Sequence, residues 1–176
     1  MLRAALAALA LLLAAAPLWA SEIDAKGDGP HDVSGTIALP VPEVAHLTVP
    51  RAESEMLAAV NAERAKYSLP PLVLDYKLTE VARGYASQML DQRFFGHIAP
   101  SGFSPLDRLK ASGYIFTVVG ENIAFGNSGA AVAMHYLLLS PRHHAVMIDP
   151  RFRKIGIGAV AASLYGTMYV QEFADE

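Results

Sequence analysis

Between Lys77 and Asp91 the apolar residues Leu78, Val81, Ala82, Tyr85, Ala86, Met89 and Leu90 recur at steps of three and four. A chain with that spacing makes a helix with one apolar stripe, and the stripe must be covered by another layer. Asp75 or Thr79 stands where a cap would start it. The covering surface is legible near the C-terminus. Ile155 to Ala161 alternates with glycine, Thr167 to Phe173 alternates apolar with polar residues, and Gly166 would turn one into the other as a hairpin. Tyr114 to Val119, β-branched and aromatic, reads as a further strand.

Other helices flank these. From Arg51 onward Met56, Leu57 and Val60 share a helical face, with Glu53 and Glu55 in the first turn where the dipole favours acids. That helix must end by Leu69, because Pro70 and Pro71 cannot continue it. Ser104-Pro105-Leu106-Asp107 has the letters of a capping box and opens a short helix to Ala111, ended by Gly113. Ala130 to Leu139 carries a broad apolar face, and Ser140-Pro141 opens another short helix through Met147. Helices on both sides of a small sheet define an α+β domain built in layers.

The N-terminus is a separate matter. Arg3 precedes an apolar run from Ala4 to Ala16, then Pro17 and Leu18-Trp19-Ala20, which is the pattern of a secretory signal peptide over residues 1–20. The run is shorter than the roughly 20 apolar residues a bilayer span needs, so no membrane span is expected after cleavage. Residues 21–50 carry prolines at 40, 42 and 50 and no periodicity, so an extended or mobile tail is expected. The competing reading is a strap along the domain, using Val41, Val44, Leu47 and Val49. Residues 51–176 form the folded domain. Arg3 leaves with the leader, which turns the formal net charge from −3 to −4. A mildly acidic exported domain has no electrostatic reason to seek nucleic acid or anionic lipid. Without cysteine, a lipoprotein anchor is excluded and the domain is held by its core alone.

Three phrases concentrate the chemistry: F-G-H-I-A-P-S-G from Phe95, G-E-N-I-A from Gly120 and S-P-R-H-H from Ser140. His97 lies in a loop after the long helix, where an imidazole serves as a metal ligand, a proton carrier or a brace on a backbone carbonyl. Glu121 ends an apolar stretch, and a carboxylate buried there needs a partner: backbone N–H groups, or a histidine that it orients. On the last helix His143 and His144 diverge by about 100°, so only one of them can face a shared site. Ser140 and Ser101 lack the strand-to-helix elbow of a nucleophilic serine, and capping accounts for Ser140. His135, His31 and His46 read as incidental. No H-E-x-x-H helix, Gly-rich phosphate loop or cysteine pair is present, so no nucleotide or redox cofactor is expected.

Taken in order, these phrases resemble the CAP superfamily (cysteine-rich secretory proteins, antigen 5, pathogenesis-related 1; the SCP-like domain) in its cysteine-free bacterial form. The resemblance runs from about Glu53 to Phe173. It includes L-A-A-V-N-A-E-R, the prolines and leucine at 70–72, A-S-Q-M-L before F-F-G-H, S-G-F-S-P-L-D-R-L, G-E-N-I-A, S-P-R-H-H and D-P-R-F-R-K-I-G-I-G. It implies an α–β–α three-layer sandwich with a small antiparallel sheet and a cleft on one side. By motif position the cleft residues are His97, Glu121 and His143, with His97 and His143 as ligands where a divalent cation such as Zn is held. The sequence departs from bacterial relatives at Leu137, where they usually carry Trp, and at Val146, where Asn is common; the second glutamate of eukaryotic members has no placed counterpart. The resemblance implies an exported protein, extracellular or periplasmic, that binds a small apolar or lipid ligand or an extracytoplasmic protein partner. The alternative is a metal-dependent hydrolase of peptide or cell-wall material, with Glu121 as general base.

Overall fold

A computed structural model of the protein describes residues 37–38, 47–162 and 166–175. The expected leader, His31 and His46 lie outside the described residues. In chain order the elements are β1 (Ile37–Ala38), β2 (Leu47–Thr48), α1 (Pro50–Lys66), β3 (Val73–Leu74), α2 (Tyr76–Asp91), β4 (Phe94–Phe95), α3 (Pro105–Ala111), β5 (Val119–Gly126), α4 (Ala130–Leu139), α5 (Pro141–Met147), β6 (Lys154–Ala162) and β7 (Gly166–Ala174).

The hairpin expected at the C-terminus forms the centre of the sheet. β6 and β7 pair antiparallel from Lys154 opposite Ala174 to Ala162 opposite Gly166. β5 joins the far side of β7, antiparallel, and ends the sheet there. The other edge of β6 is shared by β2, antiparallel at Val160 and Ala161, and β3, parallel at Lys154 and Ile155. Between those two short strands the edge is closed by side chains: Glu53 accepts from the Ala159 N–H and is paired with Arg83. An edge so covered offers no template for a further strand.

Strand periodicity assigns the two faces. Ile123, Val160, Met168 and Val170 pack against Ala82, Tyr85, Ala86 and Met89 of α2. Their neighbours Ala124, Ile155, Ile157, Ala159, Tyr169 and Phe173 face the other way, onto Met56 and Val60 of α1, Met134 and Leu137 of α4 and Met147 of α5. Leu109 of α3 joins Leu78 and Ala174 on the α2 side. The result is the three-layer α–β–α sandwich. The I-G-I-G pattern is explained by the closeness of α2: a Cβ on Gly156 would collide with the backbone of Leu78, and one on Gly158 with that of Ala82.

Two expectations are corrected. Tyr114 to Val118 is irregular, and the strand begins only at Val119, so G-E-N-I-A lies inside β5. The β-branched and aromatic residues ahead of it are used otherwise: Tyr114 Oη donates to Asp75, Phe116 packs beside Leu109, and the N–H groups of Thr117 and Val118 bond to the Asp175 carboxylate. For Ile37–Ala38 and Leu47–Thr48 the strap reading replaces the mobile one, since the former pairs with β4 and the latter with β6.

The N-A-E-R phrase proves structural. Asn61 bonds both backbone groups of Leu72, at 3.0 and 2.8 Å. The fully buried Arg64 donates to the carbonyls of Pro70, Met147, Asp149 and Phe152, tying α1 to the end of α5.

Candidate functional site

The site begins with how α2 ends. Tyr85 lies nearly two turns before that end, and its hydroxyl donates to the Gly96 carbonyl, fixing the backbone just before His97. The loop then closes on itself through Ala99 N–H to Phe103 O at 2.9 Å and Gly102 N–H to Ala99 O at 2.8 Å. His97 is thereby held on a braced loop, with its side chain 27% exposed.

α3 follows at once, and its start is fixed by the expected capping box: Ser104 Oγ accepts from Asp107 N–H while the Asp107 carboxylate accepts from Ser104 N–H at 3.0 Å. That anchoring aims Arg108 into the interior, where its side chain is 8% exposed. The guanidinium lies 3.2 Å from the centre of the Tyr85 ring, a cation–π contact. One of its nitrogens, Nη1, donates to the carbonyls of both His97 (3.1 Å) and Phe103 (3.3 Å).

Glu121 projects from β5 into this cluster. Its Oε1 lies 2.7 Å from His97 Nδ1, and its Oε2 accepts from Arg108 Nη2. A carboxylate only accepts, so Nδ1 carries the proton and Nε2 is the ring nitrogen left for solvent or a ligand. Opposite Glu121 in the ladder stands Glu172 of β7, fully buried. As an ionised carboxylate it would find no hydrogen-bond donor among the described residues, since Arg108 Nε is 3.9 Å away, too far for one; as the protonated acid it can share its proton with Glu121. Burial, and then the charge of Glu121, push the Glu172 carboxyl well above its ordinary range, against the opposing pull of Arg108. Burial likewise raises the Tyr85 phenol.

His97 and Glu121 are thus brought into direct contact. His143 arrives from elsewhere. It is buried on α5, in the helical layer that covers the opposite face of the sheet, and its carbonyl accepts from Asn122 Nδ2 at 3.1 Å. Asn122, next to Glu121 but pointing to that other face, also donates to Gln171. The glycine of G-E-N makes room for the same layer: a Cβ on Gly120 would press into Phe152 and Val146. His144 turns away, as helix geometry requires, and meets Glu63 of α1 at 3.0 Å with the Tyr67 ring edge-on. Ser140 occupies the N-cap position of α5, but its hydroxyl makes no capping bond, so capping does not account for it. Ser101 lies exposed in the turn after Pro100, and His135 is exposed on α4.

Sequence reasoning missed Arg108 and Glu172. Both had a signal: Arg108 follows the capping box by one residue, and Glu172 sits at an inward position of a strand whose neighbours on that face, Val170 and Ala174, are apolar.

The resemblance implies a divalent cation in some members, and the donor set here fits one poorly. Both oxygens of Glu121 are committed, one of them to a guanidinium, which leaves Nε2 of His97 as the free donor of the pair. Among the described residues no three His, Asp or Glu side chains are grouped so as to hold a metal ion.

The order of elements, with a histidine–glutamate pair at the end strand of the sheet, is that of a three-layer α–β–α domain. The chain belongs to the cysteine-rich secretory protein family (CAP), whose family model matches residues 57–173. It is 33% identical to the uncharacterized protein YkwD of Bacillus subtilis over 121 residues, 69% of this chain and 46% of that protein. The uncharacterized membrane protein YlbC of the same organism is 29% identical over 60% of this chain and 31% of its own length. The chain therefore spans less than half the length of these relatives. Among solved structures it resembles an extracellular SCP-domain protein of Bacillus anthracis, with a TM-score of 0.64 and 27% identity over 72% of this chain and 41% of that one. An outer surface protein of Borrelia burgdorferi shares the fold, with a TM-score of 0.69 and 22% identity over 75% of this chain and 99% of that one. No helix among the described residues is long and apolar enough to cross a membrane.

Proposed function

We propose that the mature chain is an exported binding module that takes a small apolar or lipid ligand beside His97, with the imidazole Nε2 meeting the ligand's polar end. The observation that carries this reading is the exposure of Ile98, Phe103 and Leu106, at 41%, 48% and 39%, on the loop and helix start that hold His97 and Arg108. His97 and Phe103 are neighbours in space, because a single guanidinium nitrogen reaches both carbonyls. Of the phenylalanines near the cleft phrases, Phe94 and Phe95 are core and Phe116 packs beside Leu109, which leaves Phe103 as the one turned outward. Covering the exposed part of three such side chains would stabilise a complex by about 1 kcal/mol each. An extracytoplasmic protein that buries the same rim is the other occupant the chemistry allows.

The hydrolase reading asks Glu121 to activate water on a metal held by His97 and His143. It has less support, because the Glu121 side chain is only 2% exposed and both of its oxygens already accept hydrogen bonds from the protein. The deciding experiment incubates the mature chain with a total lipid extract, re-purifies it and identifies what remains bound by mass spectrometry. The expected result is a small apolar molecule retained by the wild type and lost in Phe103→Asp and Leu106→Asp. An empty spectrum from the wild type would overturn the proposal, and turnover of peptides or muropeptides that vanishes in Glu121→Gln would put the hydrolase in its place.

A further inference from the structure

We infer that the stretch from Ser21 to Thr36 is the cleft's own occupant: it docks along the His97 loop with Val33 over Ile98 and Phe103, and an incoming ligand displaces it. The inference rests on the reading of that rim as the binding surface, and adds what covers the rim before a ligand arrives. The residues before Ile37 lie outside the described ones; what the structure fixes is the place and direction from which they start. β1 and β4 run antiparallel, with Ile37 opposite Phe95 and Ala38 opposite Phe94. Stepping back along the chain from Ile37 therefore means stepping forward from Phe95, toward Gly96 and His97. Stepping on from Ala38 means the reverse, toward Arg93 and then to β2 on the β6 edge of the sheet. Of the two stretches that flank β1, the one before Ile37 is delivered to the cleft.

Reach, shape and charge suit that place. Four extended residues span up to about 14 Å, which carries Val33 from Ile37 past His97 to the rim. Continuing the register puts Gly35 opposite His97, and a residue with no side chain lets the backbone lie close to the imidazole. Between His31 and Thr36, Val33 is the one large apolar side chain. The surface it meets is exposed and apolar at Ile98, Phe103 and Leu106, and it is rigid, because Arg108 ties the carbonyls of His97 and Phe103 together. The stretch carries four acids, Glu22, Asp24, Asp28 and Asp32, against Lys26, a net charge of −3. On α3 the exposed Lys110 lies one turn beyond Leu106 on the same helix face, so a cation stands beside the apolar rim. A segment tethered this near meets the rim at an effective concentration of about millimolar, so one apolar anchor and a charge pair suffice to seat it. The same modest grip lets a ligand with more apolar surface push it off.

The test is NMR of the isotope-labelled chain from Ser21 onward, first without ligand. The expected result is nuclear Overhauser contacts from the Val33 methyl groups to the Phe103 ring and the Ile98 side chain, within one molecule. Titration with lauric acid should then abolish those contacts. Val33→Ser, whose segment grips the rim less, should bind lauric acid about fivefold more tightly than the wild type. Signals of residues 31–36 at free-chain positions, with no contact between Val33 and the rim, would overturn the inference. So would contacts that arise only between differently labelled molecules, which would make the occupant a second copy, or lauric acid bound at the rim with the Val33 contacts intact. Because docking is read before any ligand is added, the two readings fail separately. A docked Val33 with no lipid bound sinks the proposed function and leaves the docking standing; bound lipid with Val33 undocked does the reverse.

Discussion

Glu172 gives the most quantitative prediction. It is fully buried, no donor among the described residues reaches its oxygens, and across the ladder it faces Glu121, which can share its proton when Glu172 is un-ionised. Burial foremost, then the Glu121 charge, raise its carboxyl above the unfolded value of 4.5. The folded chain therefore holds this proton more tightly than the unfolded chain. The group's stabilising contribution is complete below the unfolded value and is lost as pH rises toward the folded one. One proton per molecule corresponds to a slope of about 1.4 kcal/mol per pH unit across that interval. Glu172→Gln keeps the shape of the protonated acid and removes the titration. Urea unfolding of wild type and variant, followed by circular dichroism from pH 4.5 to 7.5, measures the difference directly, because the other titrating groups are common to both. The variant should gain on the wild type by about 1.4 kcal/mol for each unit above the unfolded value, levelling off where the folded carboxyl ionises. A difference curve flat over the whole range would mean that Glu172 is ionised in the folded chain, and the electrostatic account of the pocket would be wrong.

The remaining expectations concern the scaffold. Gly158→Ala forces a Cβ into the backbone of Ala82 and should destabilise by about 3 kcal/mol or more, the upper end of overpacking effects, lowering Tm in a thermal melt. A variant as stable as wild type would show that α2 does not rest on β6 as described. Arg64→Met strands the carbonyls of Pro70, Met147, Asp149 and Phe152, and should cost about 3 kcal/mol or more in denaturant unfolding, with hydrogen exchange rising first at the end of α5.

What the sequence disclosed followed strength of pattern. The α2 stripe, the alternation of β6 and β7 and the Ser104 capping box each combine periodicity with a stop or start signal, and each was legible. Tyr114 to Val118 misled because strand-favouring residues describe a half-buried surface rather than a ladder, and here that surface is packing over α2 and α3. The pairing of Ile37–Ala38 with β4 and of Leu47–Thr48 with β6 had no periodic signal, since two residues are too few to show one. In the site, His97 and Glu121 stood out because a polar residue among glycines and apolar neighbours is conspicuous. Arg108 and Glu172 did not, because an arginine on a short helix and a glutamate in an alternating strand look like solvated residues until register brings them opposite Glu121.

The central claim is that Glu121 holds His97 through Nδ1 and leaves Nε2 to meet a ligand at the Phe103 rim. Long-range proton–nitrogen NMR of the His97 ring, recorded on the mature chain before and after adding lauric acid, tests it most directly. The account predicts a ring whose Nδ1 stays protonated and hydrogen-bonded throughout, with the Nε2 signal moving on addition of lauric acid in the wild type and staying put in Phe103→Asp. A ring protonated on Nε2 alone, or lauric acid bound with both ring nitrogens undisturbed, would contradict it.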